Sequence, residues 1–291
     1  MFVVLVTGAN GQLGNCFREL ENNYQNYKFI FADSKDLDLT NGNQISDFFK
    51  NHKIDYCINC GAYTAVDNAE ENQEMAYLIN SEAVKNLALD CQKQNAILIH
   101  YSTDYVFDGT NYKPYTEEDQ TNPINYYGET KLMGEKLAIE NNPKTIILRT
   151  SWVYSKYGKN FVKTMLELGK TKPELKIISD QIGSPTLAND LADTTMKILE
   201  FIQKNPDFSS FGIYNYSGEG VCSWYDFTKA IMEISENKAI KITAIETKDY
   251  PTKASRPHFS VLNKSKIKEI FNLEIPYWRD SLGKFLKNNL K

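Results

Sequence analysis

Cysteine, histidine and long apolar runs are all scarce in this 291-residue chain, and each scarcity closes off a class of protein. Five cysteines (Cys16, Cys57, Cys60, Cys91 and Cys222) are an odd number with no export signal ahead of them, which argues against a disulfide framework. Cys57 and Cys60 form a CxxC, but no second CxxC or histidine pair completes a zinc site, and the pair lies in an apolar run that reads as a buried strand. The three histidines, His52, His100 and His258, form no cluster. His100 is expected inside a strand and the other two on the surface. No metal site is expected from these residues. No apolar run is long enough to cross a bilayer, and residues 1–6 are too few for a signal h-region, so the expected location is cytoplasmic. Charge of one sign is lacking too. The 33 basic and 37 acidic side chains leave a net −4 without a basic stripe, so nucleic acid is not an expected partner.

What is present is the ordinary balance of a globular protein, 42% hydrophobic and 24% charged, in a chain long enough to bury its core without a staple. The first half alternates short apolar runs with longer amphipathic ones. Strands are expected at 2–6, 28–32, 55–60, 96–101 and 145–149, and helices at 12–22, 43–52, 74–94 and 125–141. Strand–helix alternation implies right-handed crossovers and a parallel sheet covered on both faces, a Rossmann-type doubly wound α/β fold. After Arg149 the rhythm loosens. Helices are expected at 160–168, 189–204, 224–235 and 280–289, with short strands at 176–178, 213–216 and 242–247. Most of the prolines fall in the intervening loops. The expected organisation is a dinucleotide-binding domain over 1–151 and a smaller, interleaved substrate lobe mainly over 152–291. Elements from about 187–216 return to the first domain. Ligands of open α/β sheets bind beyond the carboxyl ends of the strands, so chemistry is sought in the loops that follow them.

The first such loop is Thr7-Gly8-Ala9-Asn10-Gly11-Gln12-Leu13-Gly14, a GxxGxxG between a strand and a helix. Gly8 permits a tight turn, Gly11 lets backbone approach a pyrophosphate, and Gly14 lets the helix pack against the sheet. The helix N-terminus offers free N–H groups and the positive end of its dipole. Asp33 ends the second strand about 20 residues on, where an acid holds ribose hydroxyls and favours NAD. Lys35 nearby would instead attract the 2′-phosphate of NADP, so both NADH and NADPH stay open. Asp38 and Leu39 suit an adenine contact, with an N-cap role for Asp38 or Thr40 as the alternative.

A second cluster follows the strand at 96–101. Ser102-Thr103 ends it, and Tyr127 and Lys131 lie four residues apart on the next long helix, hence on one face. A ketone that receives hydride becomes an alkoxide unless a proton arrives. A tyrosine can supply that proton, its free pKa of about 10 being lowered by a nearby ammonium, while a strand-end hydroxyl holds the carbonyl oxygen. A Tyr–Lys pair alone is commonly solvated surface in a chain with 18 tyrosines. The glycine turn and the Ser/Thr strand end raise this pair above that background.

With these residues in place the sequence resembles the extended short-chain dehydrogenase/reductase family. The shared stretches are TGANGQLG (7–14), INCGAYTAVDNAE (58–70), STDYVFDG (102–109), NYYGETKLMGE (125–135), LRTSWVY (148–154), DQIGSPT (180–186) and SRPHFSVLN (255–263). Within the family the likeness is to members that act on dTDP-linked sugars. The resemblance implies reduction of the C4 keto group of dTDP-4-dehydro-β-L-rhamnose by NADH or NADPH, for cell-surface polysaccharide. It makes Thr103, Tyr127 and Lys131 catalytic, with Lys131 also on the nicotinamide ribose. It places Ala62, Tyr63 and Thr64 along the cofactor groove and Asn80 in support of its active-site end. Asp104, Tyr105 and Trp152 would surround the sugar, Asp180, Gln181 and Thr186 would shape its pocket, and Asn160 and Arg256 would hold the diphosphate. Trp152 reads equally as a core aromatic, and Arg256 as an ordinary ion pair. Some relatives bind magnesium at a dimer contact; a homodimer is compatible, but no ligand cluster here supports the metal. Tyr126 stands where an aliphatic residue is expected.

Two other readings share these motifs. One is an epimerase or dehydratase on a nucleotide sugar; a dehydratase needs an acid/base pair beside the strand-end threonine, and Asp104-Tyr105 leaves that pair incomplete, while an epimerase would recycle its cofactor rather than consume it. A non-catalytic NADP-binding regulatory subunit would have no need of the intact Thr103, Tyr127 and Lys131.

Overall fold

Alternate residues of the first strand decide which layer each helix joins. The computed structural model of the chain describes residues 1–236 and 240–289. In β1 (Phe2–Thr7), Val4 and Val6 enter one buried cluster and Leu5 the cluster on the opposite face, so the strand is covered on both sides. The chain continues through α1 (Gln12–Leu20), β2 (Tyr27–Ala32), α2 (Gly42–Asn51), β3 (Tyr56–Asn59), α3 (Val66–Ala69), α4 (Gln73–Tyr77), α5 (Ala83–Lys93), β4 (Ile97–Thr103), α6 (Tyr126–Asn141) and β5 (Thr145–Thr150). Asn41 caps α2 by accepting from the amides of Asn43 and Gln44, and Ile45 and Phe49 then fall on its buried side. The long helix expected over 74–94 is α4 and α5 joined through a π-helical turn, Leu78–Glu82.

The second half supplies β6 (Val153–Tyr154), α7 (Phe161–Thr171), β7 (Glu174–Ile178), β8 (Ile182–Gly183), β9 (Thr186–Leu187), α8 (Ala188–Lys204), β10 (Gly212–Asn215), β11 (Cys222–Ser223), α9 (Trp224–Ile234), β12 (Lys241–Ile245), α10 (Ser265–Phe271) and α11 (Trp278–Asn289). The two-residue strands and α10 carry no periodic signal in the sequence and were not expected.

Six strands form one parallel sheet in the order β10-β5-β4-β3-β1-β2. This is an α/β Rossmann-type fold. The chain runs outward from β1 in both directions, so the carboxyl ends of β1 and β3 flank the switch point where such sheets bind ligands. β10 comes from the second half and pairs with β5 at the sheet edge. α8 buries Leu191, Met196 and Leu199 in the same cluster as Phe17 of α1. A separate cluster (Tyr154, Val162, Phe227 and Leu282 among others) forms the core of the second lobe. Each such fully buried side chain contributes about 1.5–3 kcal/mol.

Two close contacts set the position of α6. A Cβ at Gly134 would lie 2.1 Å from the Asn80 carbonyl oxygen in the π-helical turn, so only glycine lets the helices meet there. On the other side Arg149 of β5 donates two hydrogen bonds to Glu135 at 2.9 and 2.7 Å, both side chains being buried. Lys131 sits one turn before that anchor.

Candidate active site

The glycine turn opens the switch-point crevice. Gly8 has φ +59°, and a Cβ there would lie 2.6 Å from the Gly61 amide in the loop after β3. Gly11 accepts N-cap geometry without a side-chain cap, and α1 carries no acid in its first turn. Gly14 departs from its expected role: its missing Cβ would strike Ala9 and the Gly8 carbonyl, so it packs on the turn rather than on the sheet. The uncapped first-turn amides and the bare glycine surface fit a pyrophosphate. Leu39 lies over Gly61 at the same mouth, its Cδ1 2.4 Å from where a Cβ on Gly61 would stand. Asp33 accepts from the Asn10 amide and from the backbone of Lys35 at 2.7 Å, and these bonds hold its carboxyl below the usual range. Asp38 accepts from the Thr40 amide and hydroxyl at 2.9 and 2.7 Å, so it closes an Asx turn.

Asn80, expected to support the active-site end of the groove, is fully buried beneath it and meets the cofactor side only through the loop it holds. Its Oδ1 accepts from Tyr63 N at 2.8 Å, and its Nδ2 donates to Tyr63 O and to the Thr130 hydroxyl, both at 3.1 Å. It clamps the loop of Ala62, Tyr63 and Thr64 to α6, and no polar atom of it is left for a ligand.

Thr103 and Tyr127 meet at the end of β4. Asn125 caps α6 by accepting from Gly128 N at 2.8 Å, which starts the helix directly before the tyrosine. Burial of the phenol hydroxyl pushes Tyr127 up to about 12, and a hydrogen bond with the Thr103 hydroxyl opposes the rise. The tuning expected from Lys131 is not what acts on Tyr127 in this arrangement. Lys131 is buried and donates to the Tyr101 carbonyl at 2.6 Å, with His100 Nε2 3.3 Å away. Burial pushes its ammonium down to about 8, and Glu135 pulls the other way. Asp104 is also buried, with one oxygen accepting from Thr103 at 3.1 Å; burial raises it to about 6, opposed by hydrogen bonding from Ser260 and Thr103. It stands behind Thr103 rather than facing a ligand.

A cleft of about 730 Å3 opens beside this centre, lined by Tyr105, Phe161, Gln181, Trp224, Tyr250 and Arg256. Tyr105 makes an edge contact with Tyr127, ring centroids 5.9 Å apart, and so joins the cleft to the Thr103–Tyr127 pair. Arg256 lines the cleft together with two other cations, Lys176 and Lys253. Its guanidinium donates to both oxygens of Asp67, at 3.1 and 2.7 Å, and to the Ala254 carbonyl. Gln181 donates to Thr247, whose hydroxyl and amide are also held by Asp180. Trp152 is stacked on Trp224 at 3.5 Å and has φ +49°, a strained conformation for so bulky a residue. Thr186 is buried and lies off the cleft.

Asn160 is not brought to Arg256. It caps α7 and donates to Gln12 Oε1 at 2.9 Å, tying the second lobe to the glycine turn. Asp67, Trp224 and Tyr250 escaped the sequence reading; only Asp67 lay in a quoted stretch, and no spacing marks the other two. His52 is half-buried against Phe48, while His258 is exposed. All five cysteines are free thiols. Among the described residues no group of three or more His, Cys, Asp or Glu is arranged for a metal, and no helix is long and apolar enough to cross a membrane.

A dinucleotide-type turn at a Rossmann switch point, beside a Thr–Tyr–Lys set, defines an oxidoreductase of the short-chain dehydrogenase/reductase class. The chain belongs to the RmlD family: the model of the RmlD substrate binding domain matches residues 2–290. It is 40% identical over 285 residues to the dTDP-4-dehydrorhamnose reductase of Aggregatibacter actinomycetemcomitans, covering 96% of each chain. A crystal structure of a dTDP-4-dehydrorhamnose reductase from Clostridium acetobutylicum superposes with TM-score 0.93 at 40% identity over the whole of both chains. That of the Bacillus anthracis enzyme in complex with NADP does so with TM-score 0.93 at 38% identity, over 99% of this chain and all of the other.

Proposed function

We propose that the chain reduces the C4 keto group of dTDP-4-dehydro-β-L-rhamnose to dTDP-L-rhamnose, using NADPH or NADH. The observation that carries this reading is the meeting of Thr103 and Tyr127 one ring contact from the cleft that holds Arg256. Gly8, Asn10, Gly11, Gln12, Leu13 and Gly14 would hold the dinucleotide diphosphate, with Leu39 and the loop of Ala62, Tyr63 and Thr64 along its length. Bound there, the reduced nicotinamide supplies the hydride. Asp33 and Lys35 sit where the adenosine ribose is read.

The Thr103 hydroxyl orients the ketone, and Tyr127 gives its proton to the carbonyl oxygen. A phenol raised to about 12 is fully protonated at neutral pH, which is the form a reductase requires at the start of the step. Lys131 as ammonium then stabilises the phenolate left behind. Arg256 exchanges Asp67 for the substrate's diphosphate oxygens, a task its planar fork performs with two parallel bonds. Tyr105, Trp152 and Gln181 would border the sugar. Asn160 has no part in holding the diphosphate in this reading; it fixes the lobe.

Incubation with the dTDP-ketosugar and each cofactor, with the product identified by NMR, tests the reaction. Stoichiometric loss of the reduced cofactor separates a reductase from an epimerase, which recycles it. Tyr127→Phe should lower kcat by about a hundredfold or more while cofactor binding stays near wild type. Wild-type kcat in that variant would remove Tyr127 from the mechanism.

A further inference from the structure

Beneath Lys131 a file of buried polar groups crosses the sheet from β1 to β4. The Thr7 hydroxyl donates to Asn59 Oδ1 at 2.6 Å, and the Gly61 amide donates to the same oxygen at 3.1 Å. Asn59 Nδ2 lies 3.1 Å from His100 Nδ1, and His100 Nε2 lies 3.3 Å from Lys131 Nζ. Lys131 Nζ then donates to the Tyr101 carbonyl at 2.6 Å. Asn59 is 1% exposed, His100 0% and Lys131 2%, so water corrects none of these bonds.

The Gly61 amide decides the direction of the whole file. A backbone N–H can only donate, so the Asn59 atom that faces it is the carbonyl oxygen. The Asn59 NH2 group therefore faces His100, and there it can only donate. Nδ1 accepts, which leaves the proton of a neutral imidazole on Nε2. An Nε2–H aimed at Lys131 needs a lone pair on Nζ. The amine has one and the ammonium has none.

We propose that Asn59 and His100 are positioning residues for the reduction: the orientation locked at Gly61 passes through them to Lys131 and favours the uncharged amine at that position. The proposal rests on the assignment of Tyr127 and Lys131 to the reaction. It makes Lys131 a group that exchanges a proton near working pH instead of a permanent cation. Turnover then falls on the alkaline side as the ammonium is lost. The depressed titration of Lys131, to about 8, has the same direction, and burial with the neighbouring Lys131 charge holds His100 well below its ordinary pKa and hence neutral. The other charges around Lys131 are few. Glu135 on its own helix favours the ammonium but is shared with Arg149 of β5, and Asp104 after β4 acts on Tyr127. The π-helical turn presents Asn80 and Ser81 to α6, both uncharged.

Protein labelled with 15N-histidine contains only three imidazoles, so long-range 15N–1H spectra read each tautomer directly. His100, assigned by its loss in His100→Gln, is expected to stay neutral between about pH 5 and 8, with the proton on Nε2. A proton on Nδ1, or a cationic ring, overturns the proposal. Asn59→Asp replaces the donor with an acceptor. It should move the His100 proton to Nδ1 and shift the alkaline limb of kcat upward by about one pH unit. An inverted tautomer with an unmoved limb also overturns it. Should Asn59→Asp fail to fold, the wild-type spectrum still decides. Because the tautomer is read without turnover, the two readings fail separately: an active Tyr127→Phe removes the proposed function, and an Nδ1 proton removes the bond direction.

Discussion

At the scale of single residues, the pairing of Tyr127 with Lys131 was legible because helical spacing alone puts them on one face. Their surroundings were not legible. Nothing local to Lys131 announces that His100, 31 residues earlier, lies against it, because that contact exists only once β4 passes under α6. Asn160 shows the opposite error: a polar residue at a site-like position has both side-chain polar atoms committed to protein partners. Asp104 carries a prediction of its own. Its carboxyl is raised to about 6 in the folded chain, against an ordinary value of 3.8. Between these values the native state holds a proton that the unfolded chain has released. The stability Asp104 contributes is therefore complete below about pH 4 and is lost as pH rises through 6. Asp104→Asn should flatten this part of the profile. Thermal melts at pH 4 and pH 7 measure it; an unchanged difference between them counts against a raised, buried carboxyl at this position.

At the scale of elements, the strands of the parallel sheet were readable from their apolar runs, and every helix over nine residues was foreseen, its ends within a few residues except at the start of α5, which the expected helix over 74–94 merged with α4. The π-helical turn at Leu78–Glu82 was not, since an inserted residue leaves the apolar pattern intact while changing which carbonyls point outward. Here it presents the Asn80 carbonyl to Gly134 and its side chain to the loop after β3. Gly134→Ala drives a methyl into that carbonyl. The expected cost is about 1–3 kcal/mol in denaturant unfolding, with a fall in kcat, because the same helix carries Tyr127 and Lys131. Loss of stability with full activity would show that the helix relaxes elsewhere.

At the scale of the whole molecule, the second half does not form an independent unit. β10 completes the sheet edge, α8 shares the core of α1, and Gln12 of the glycine turn holds Asn160 and Ser155 of the second lobe. A ligand on the turn is thus coupled to both lobes. NADPH at a hundredfold excess over its Kd should stabilise the chain by about 2.7 kcal/mol, a rise in Tm of roughly 5 °C. The comparison of NADPH with NADH in the same melt, repeated in Lys35→Ala, reads the 2′-phosphate preference. No rise with either cofactor would contradict the dinucleotide site.

Periodicity, the glycine spacing and the Tyr–Lys interval are properties of neighbours along the chain, and so the parallel α/β sheet, the glycine turn and the shared face of Tyr127 and Lys131 were legible without coordinates. Which polar groups remain free to meet a ligand was settled by long-range packing. It turned Asn80 and Asn160 inward, gave Arg256 to Asp67, and laid the Gly61–Asn59–His100 file under Lys131. The reason is that hydrogen-bond capacity is finite, and where each donor and acceptor is spent depends on segments that come together only after the sheet has formed.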